Sequence, residues 1–411
     1  MQLRYNYRLN PRPGQRVALA RAFGCARVVF NDALRARQDA REAGSTGPSD
    51  AELSKRLTRS KATPERAWLG EVSAVVLQQA LADLNTAYRN FFASITGKRA
   101  GPRIAPPKFR SRKDSRQSIR FTKNAGFAVT AGGKLRLPKI GDVPVRWSRD
   151  LPCEPSSVTI VKDAAGRYFA SFVVQVDDEP LLERDSEIGI DLGLATFAVL
   201  SDGSVIESPK FFRRAERRLR KAQQVLSRKR KSSNNRAKAK TRVARAHAKV
   251  RDTRSDWAHK HTTAIIRDNQ AVYVEDLCVT GLARTRLAKS VHDAGWGMFT
   301  RLLEEKAARY GRYFVRVDRF FPSSQLCSAC GHNDGKKPLS VREWECIGCG
   351  TVHDRDVNAA KNILAAGRAE RLNALWRPGE TEPASAPAGE AGTRRGGRSA
   401  TPVRIAALLE R

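Results

Sequence analysis

Two Cys-x-x-Cys pairs, Cys327/Cys330 and Cys346/Cys349, stand fifteen residues apart, and no other feature of this 411-residue chain restricts its folding as tightly. Four thiolates at that spacing can converge on one tetrahedral ion. Gly331 and Gly350 follow the two pairs and suit the tight turns such knuckles need. Four protein ligands leave no open position for water, so the expected ion is a structural zinc. His332 and His353 lie close enough in sequence to be alternative ligands. Cys25, Cys153 and Cys278 are isolated and are expected to be small buried apolar residues. Paired Cys-x-x-Cys spacing points to a reduced, cytosolic metal protein rather than a disulfide framework.

An acid, Asp356, opens a helix-like run seven residues after Cys349. Two further acids sit where acids are costly. Asp191 follows Ile188-Gly189-Ile190, and Glu275 ends the apolar run Val272-Tyr273-Val274. Singly, each could be a cap or turn acid, and Asp356 could be the N-cap of the helix after it. Together, on neighbouring strands and a helix start, they would repel one another unless divalent cations intervene. Two magnesium ions about 3.5–4 Å apart would suit phosphodiester hydrolysis, and carboxylate oxygens suit magnesium. Asp276, Asp202 and Asp354 are nearby rivals; Asp276 would face the opposite side of its strand from Glu275.

The formal net charge is +34. Such a charge repels itself unless a polyanion neutralises it, so nucleic acid is the first expected partner. No apolar run approaches the roughly 20 residues needed to cross a bilayer, and the N-terminus lacks the apolar core of a secretory signal. Residues 213–254 carry eighteen Lys and Arg against two acids. A break at SSNNR predicts two long basic helices there, with phosphate contacts expected from Arg217, Arg220, Lys221, Arg228, Lys229, Lys231 and Lys238.

Length suggests two to four domains. Residues 2–9 alternate as a strand. Helical spacing runs over 14–42 and again over 71–95. Residues 97–120 are basic, Gly/Pro-rich and aperiodic. From Phe121 to Val176 five or so short period-two runs suggest a small β-barrel, which the N-terminal strand could join around a helical insertion. Residues 188–206 read as two apolar strands around a DG turn. Helix 296–310 and strand 312–317 precede the cysteines, and a last helix is expected from about 357 to 375. Residues 378–402 lack core-forming side chains and read as disordered, with a short helix at 404–409.

Several stretches together, GIDLGLATFAVLSDG, VYVEDL, FPSSQLCSACG and CIGCGTVHDRDVNAAKNIL, resemble the TnpB family of transposon-encoded relatives of the type V CRISPR effector nucleases. The resemblance covers about residues 1–370 and is most specific in the C-terminal half. It implies an α/β multidomain chain. A wedge β-barrel (1–10 and 111–185) would be interrupted by a helical recognition domain (11–110). An RNase H-like RuvC nuclease (186–326 and 351–377) would carry basic helices within 207–270 and a zinc module at 327–350, ahead of a tail at 378–411. It places Asp191, Glu275 and Asp356 at the catalytic positions and points to Gln79, Lys123 and Asn124 as motif-reading candidates. It also implies a guide RNA from the transposon end and cutting of double-stranded DNA beside a short target-adjacent motif. The expected particle is one protein chain with its RNA, in a prokaryotic cytoplasm near the nucleoid. Two rivals remain at this point: an RNase H-like transposase that joins strands, and a non-catalytic zinc-containing nucleic-acid-binding protein.

Overall fold

The computed structural model describes residues 1–338 and 340–375. The expected tail at 378–411, its short helix, and the last two residues of the expected nuclease segment lie outside the described residues. The chain divides into two compact units, residues 1–177 and the residues from 178 onward.

In the first unit β1 (Gln2–Leu9) buries Tyr5, Tyr7 and Leu9 on one face. It lies between β7 (Tyr168–Gln175) and β5 (Gly141–Arg146), antiparallel to both. The remaining strands are β2 (Gln117–Thr122), β3 (Ala128–Val129), β4 (Lys134–Leu137) and β6 (Ser157–Lys162). The sheet runs β2-β6-β7-β1-β5-β4-β3, so seven strands form where about five runs and the N-terminal strand were expected. The added strand, β2, takes the end of the basic stretch: Ile119 and Phe121 face the core while Arg120 and Thr122 face out. No pairing joins β2 to β3 among the described residues.

Between β1 and β2 the chain is helical. Helix α1 (Pro13–Glu42) buries Leu19, Phe23, Ala26, Phe30 and Ala33 at three- and four-residue steps. Helix α2 (Asp50–Ala62), unforeseen, starts where Ser49 accepts a hydrogen bond from the Glu52 amide at 3.2 Å. Helix α3 (Ala74–Ile95) begins later than expected, because Pro64–Glu71 forms a tighter 3-10 segment. The basic stretch is anchored. The Asn31 side chain bonds both the N–H and the C=O of Arg110, whose guanidinium lies 3.8 Å from the Phe30 ring centre.

In the second unit β8 (Glu187–Leu192), β9 (Ala198–Leu200) and β10 (Val205–Ile206) form a meander. The DG turn lies between β9 and β10, so three strands stand where two were expected. Helices α4 (Phe211–Ser227) and α5 (Asn234–Asp268) form a hairpin, with Ser233 capping α5. The chain continues through β11 (Ala271–Glu275), α6 (Val279–Leu282), α7 (Ala288–Ala294), α8 (Trp296–Arg309) and β12 (Tyr313–Val317). A small hairpin, β13 (Glu343–Glu345) with β14 (Val352–Asp354), leads into α9 (Arg355–Leu375). The sheet order is β10-β9-β8-β11-β12, with β8, β11 and β12 parallel.

The two faces of this sheet differ. Ile188, Ile190, Val272 and Val274 pack with Ile265 and Ile266 of α5 and Phe299 and Leu303 of α8. The other face carries Tyr273 and receives Ile363 and Leu364 of α9. Here α9 comes close. A Cβ on Gly189 would lie 2.2 Å from the Ala360 carbonyl oxygen and 2.7 Å from the Leu364 nitrogen. One on Gly367 would lie 2.1 Å from the Tyr273 ring. Gly189→Ala should therefore force α9 off the sheet and lower thermal stability by about 2 kcal/mol or more, read as a fall in melting temperature. An unchanged melt would mean that the helix does not sit this close.

Candidate functional site

The cysteines converge. Their sulfurs all lie within 4.8 Å of one another, and they form the one such group of metal-capable side chains among the described residues. Cys327 Sγ is 3.7 Å from Cys349 Sγ, and Cys330 Sγ is 3.7 Å from Cys346 Sγ. Four sulfurs about 2.3 Å from a tetrahedral zinc would stand about 3.8 Å apart, so the donor set fits that ion. Hydrogen bonds with the Thr351 side chain and backbone pull the Cys349 thiol down to about 6, towards the thiolate that metal binding requires. Buried His353 is outside the ligand set; its Nε2 lies 3.0 Å from Cys327 Sγ and its ring against Trp344. His332 is also outside the set. Of the three single cysteines only Cys25 is buried. Cys153 and Cys278 are exposed, contrary to expectation, because both lie in loops rather than on an inward strand face.

The four-cysteine module is fastened to the start of α9. Asn358 Oδ1 accepts from the Ser328 amide, and its Nδ2 donates to the Leu326 carbonyl. Asn362, one turn on, donates to the carbonyls of Ser323 and Leu326. Both side chains are buried. Their signal was present as two asparagines four apart in an otherwise alanine-rich helix, where asparagine is a poor choice unless bonded.

The three acids occupy one end of one sheet face. Val274 pairs with Ile190 in parallel register, so the next step sets Glu275 beside Asp191. Both share the face of Gly189 and Tyr273, two residues earlier on each strand. That face carries α9, and Asp356 lies in its first turn, one helical turn before Ala360. Asp356 is not the N-cap. Asp354 Oδ1 takes that role, accepting from the amides of Asp356 (2.9 Å) and Val357 (2.8 Å), which leaves the Asp356 carboxylate to meet Arg342 at 3.3 Å. Burial, then the charges of Asp356 and Glu275, push Asp191 up to about 7, while Arg355 opposes them. Burial, then Asp276, raises Glu275. The carboxylate oxygens are not gathered within the 4.8 Å that holds the sulfurs. Of the rival acids, Asp276 is ion-paired to Arg319 and Asp202 closes its turn by accepting from Ser204.

Arg217, Arg220, Lys221, Arg228, Lys229, Lys231 and Lys238 are all exposed on α4, α5 and the connection between them. Arg236 closes that connection by donating to the carbonyls of Leu226 and Lys229. Asp293 is a residue the sequence did not flag. It is buried and accepts from the amides of Phe212 and Arg213, so it caps α4 from eighty residues away. In the first unit Gln79 is half-buried on α3, Asn124 is exposed, and Lys123 is exposed and paired with Glu154 at 2.8 Å.

Fold and site together define a two-unit α/β protein with a four-cysteine cluster and a carboxylate-bearing sheet. Three family models match it: one described as "Probable transposase" over residues 171–286, one as "Cas12f1-like, TNB domain" over 296–363, and one as "Helix-turn-helix domain" over 1–46. The last stretch folds here as one strand and one long helix. A relative from Streptomyces pristinaespiralis is 46% identical over 89% of this chain and 89% of its own length. Another, InsQ of Escherichia coli K12, is 32% identical over 89% of this chain and 92% of its own. Both are named "Putative RNA-guided DNA endonuclease". The protein chain of a Cas12f1–sgRNA–target DNA complex superposes with a TM-score of 0.52 at 13% identity, covering 85% of this chain and 82% of that one. The chain belongs to the TnpB family.

Two outcomes follow from the site. Cys346→Ser should drop zinc content below one ion per chain and unfold the module, read by metal analysis and by proteolysis within 327–350. The second concerns Asp191, whose folded form holds a proton up to about pH 7 while an ordinary aspartate releases it near 3.8. The associated stability is complete below about pH 4 and is lost as pH rises through about 7. In magnesium-free buffer Asp191→Asn should therefore be more stable than the parent at pH 8.5, by about 2 to 4 kcal/mol, and the gap should shrink towards pH 5. A gap that does not change with pH contradicts the assignment.

Proposed function

We propose that this protein is an RNA-guided DNA endonuclease whose second unit is an RNase H-like RuvC nuclease. One observation carries the reading: Asp191 and Glu275 stand side by side on parallel strands, and Asp356 opens the helix packed on the same face. The strand order, with an antiparallel meander on one side of three parallel strands, agrees with that fold. The family and the names of its relatives support guidance by RNA and action on DNA. The first unit is read as a barrel-like wedge with helices α1 to α3 as the recognition part, within the boundaries expected from the sequence. Gln79, Lys123 and Asn124 remain its candidate motif readers.

The residues fit divalent magnesium. All three donors are hard carboxylate oxygens. The burial and mutual charge that hold a proton on Asp191 are what a cation would relieve. Bound there, magnesium supplies Lewis-acid activation of water and of the leaving oxygen. Asp191 and Glu275 fix the site on rigid strands, and Asp356 closes it from the helix. Arg342 beside Asp356 and Arg355 near Asp191 add positive charge where a phosphate enters. The exposed cations of the α4–α5 hairpin hold the nucleic-acid backbone, and base pairing with the guide supplies selectivity. Double-stranded DNA is cut beside a short motif, by one protein chain with its transposon-derived RNA.

Glu275→Ala should reduce cleavage of guide-matched duplex DNA by at least about a thousandfold, to judge by the share metal sites contribute. RNA retention and DNA binding should persist in gel-shift assays. Full cleavage by the variant would sink the assignment, and strand-joined products from the parent protein would favour a transposase.

A further inference from the structure

The α4–α5 hairpin carries a cavity that the nuclease reading does not use. It measures about 350 Å³, large enough for a small-molecule-sized group. Its floor is Phe211 and Ala215 of α4 with Ala246 and Val250 of α5. The two alanines explain the gap: where paired helices normally interlock larger side chains, both partners are small here. Arg214 and Arg218 line one side at i and i+4, and Arg245 and Lys249 line the other at the same spacing. All four side chains are exposed and make no ion pair among the described residues. The acids close by are engaged elsewhere: Glu216 with Lys289 and Arg220, and Asp256 with Lys260.

We infer that this cavity takes one unstacked base of a single nucleic-acid strand, with the phosphates on either side of that base held by the paired cations. This rests on the proposed function only in taking nucleic acid as the partner. An apolar slot between two rows of unpaired cations matches a nucleotide, a flat apolar ring between anionic groups. A duplex cannot enter, because its bases are held in the stack.

The test uses the full-length ribonucleoprotein carrying Glu275→Ala, without divalent metal, so that the result does not depend on cleavage. Affinity is measured for a short oligothymidylate and for an abasic strand of equal length. The oligothymidylate should bind about tenfold more tightly, the scale of one base stack. Ala246→Leu fills the slot without changing charge and should cut that preference at least about fivefold, with circular dichroism and RNA content unchanged. Arg218→Gln/Lys249→Gln should weaken both ligands alike and lower the slope of log affinity on log salt by about 1.4. If Ala246→Leu lowers the melting temperature, the charge variant decides. An unaltered preference in a well-folded Ala246→Leu protein overturns the inference. So does an unaltered salt slope, while a preference between oligothymidylate and oligouridylate, in either direction, identifies the strand as DNA or RNA. The nuclease reading would survive any of these, since it stands on the Glu275→Ala cleavage result.

Discussion

The site depends on one contact, the approach of α9 to β8 and β11 with no room for a side chain between them. Asp356 is remote in sequence from Asp191 and Glu275 and shares no strand pairing with them. What places it is the helix, and what places the helix is backbone against backbone at Gly189. A side chain there would lift the whole first turn away from the strand ends. The far end of α9 is held as well: Gly367 lies against the Tyr273 ring, and Arg368 and Arg371 both reach the nearly buried Glu187 at the start of β8. Glu187 opens the strand that carries Asp191 near its end, so α9 is fixed along the length over which position matters.

The four-cysteine module belongs to the same arrangement. It inserts between β12 and α9, so any looseness in it would be passed to Asp356. Asn358 and Asn362 turn α9 into part of the module's frame by bonding the chain as it enters the first cysteine knuckle. Metal binding in such a module is folding energy. An ion held by the four cysteines would therefore steady a carboxylate that takes no part in holding it.

Much of this was legible in the sequence, for identifiable reasons. The cysteine spacing is a local geometric code, and the structure brings the sulfurs together as it predicts. Asp191 and Glu275 stood out because a charge in a short apolar run must have a purpose, and the period of two predicted that Asp276 would turn away. What was missed lay beyond local pattern. The cap of α9 could have been Asp356, the alternative to its place as third carboxylate, and is Asp354, two residues earlier. Strand β2 was hidden because Arg120 and the surrounding cations mask the alternation of Ile119 and Phe121. The Asp293 cap on α4, the anchoring of Arg110 by Asn31 and the exposure of Cys153 and Cys278 are tertiary facts. No pattern within either partner's own neighbourhood encodes them.

Charge sets the remaining constraint. At +34 the folded chain repels itself, and its cations are disposed in two ways. Those in the first unit's basic stretch are partly turned inward: Arg110 and Arg120 both reach Asp83, and Arg110 covers Phe30. Those on the α4–α5 hairpin are mostly left to solvent, because its few acids each meet only one or two cations: Glu216 meets Arg220 and Lys289, Asp252 meets Arg251 and Asp256 meets Lys260. A hairpin built this way gains stability whenever a polyanion binds, because binding removes repulsion that folding alone leaves in place. The second unit therefore has two sources of strain that its partners relieve. One is the negative charge crowded at Asp191, which a cation would quiet, and the other is the positive charge along α4 and α5, which nucleic acid would quiet.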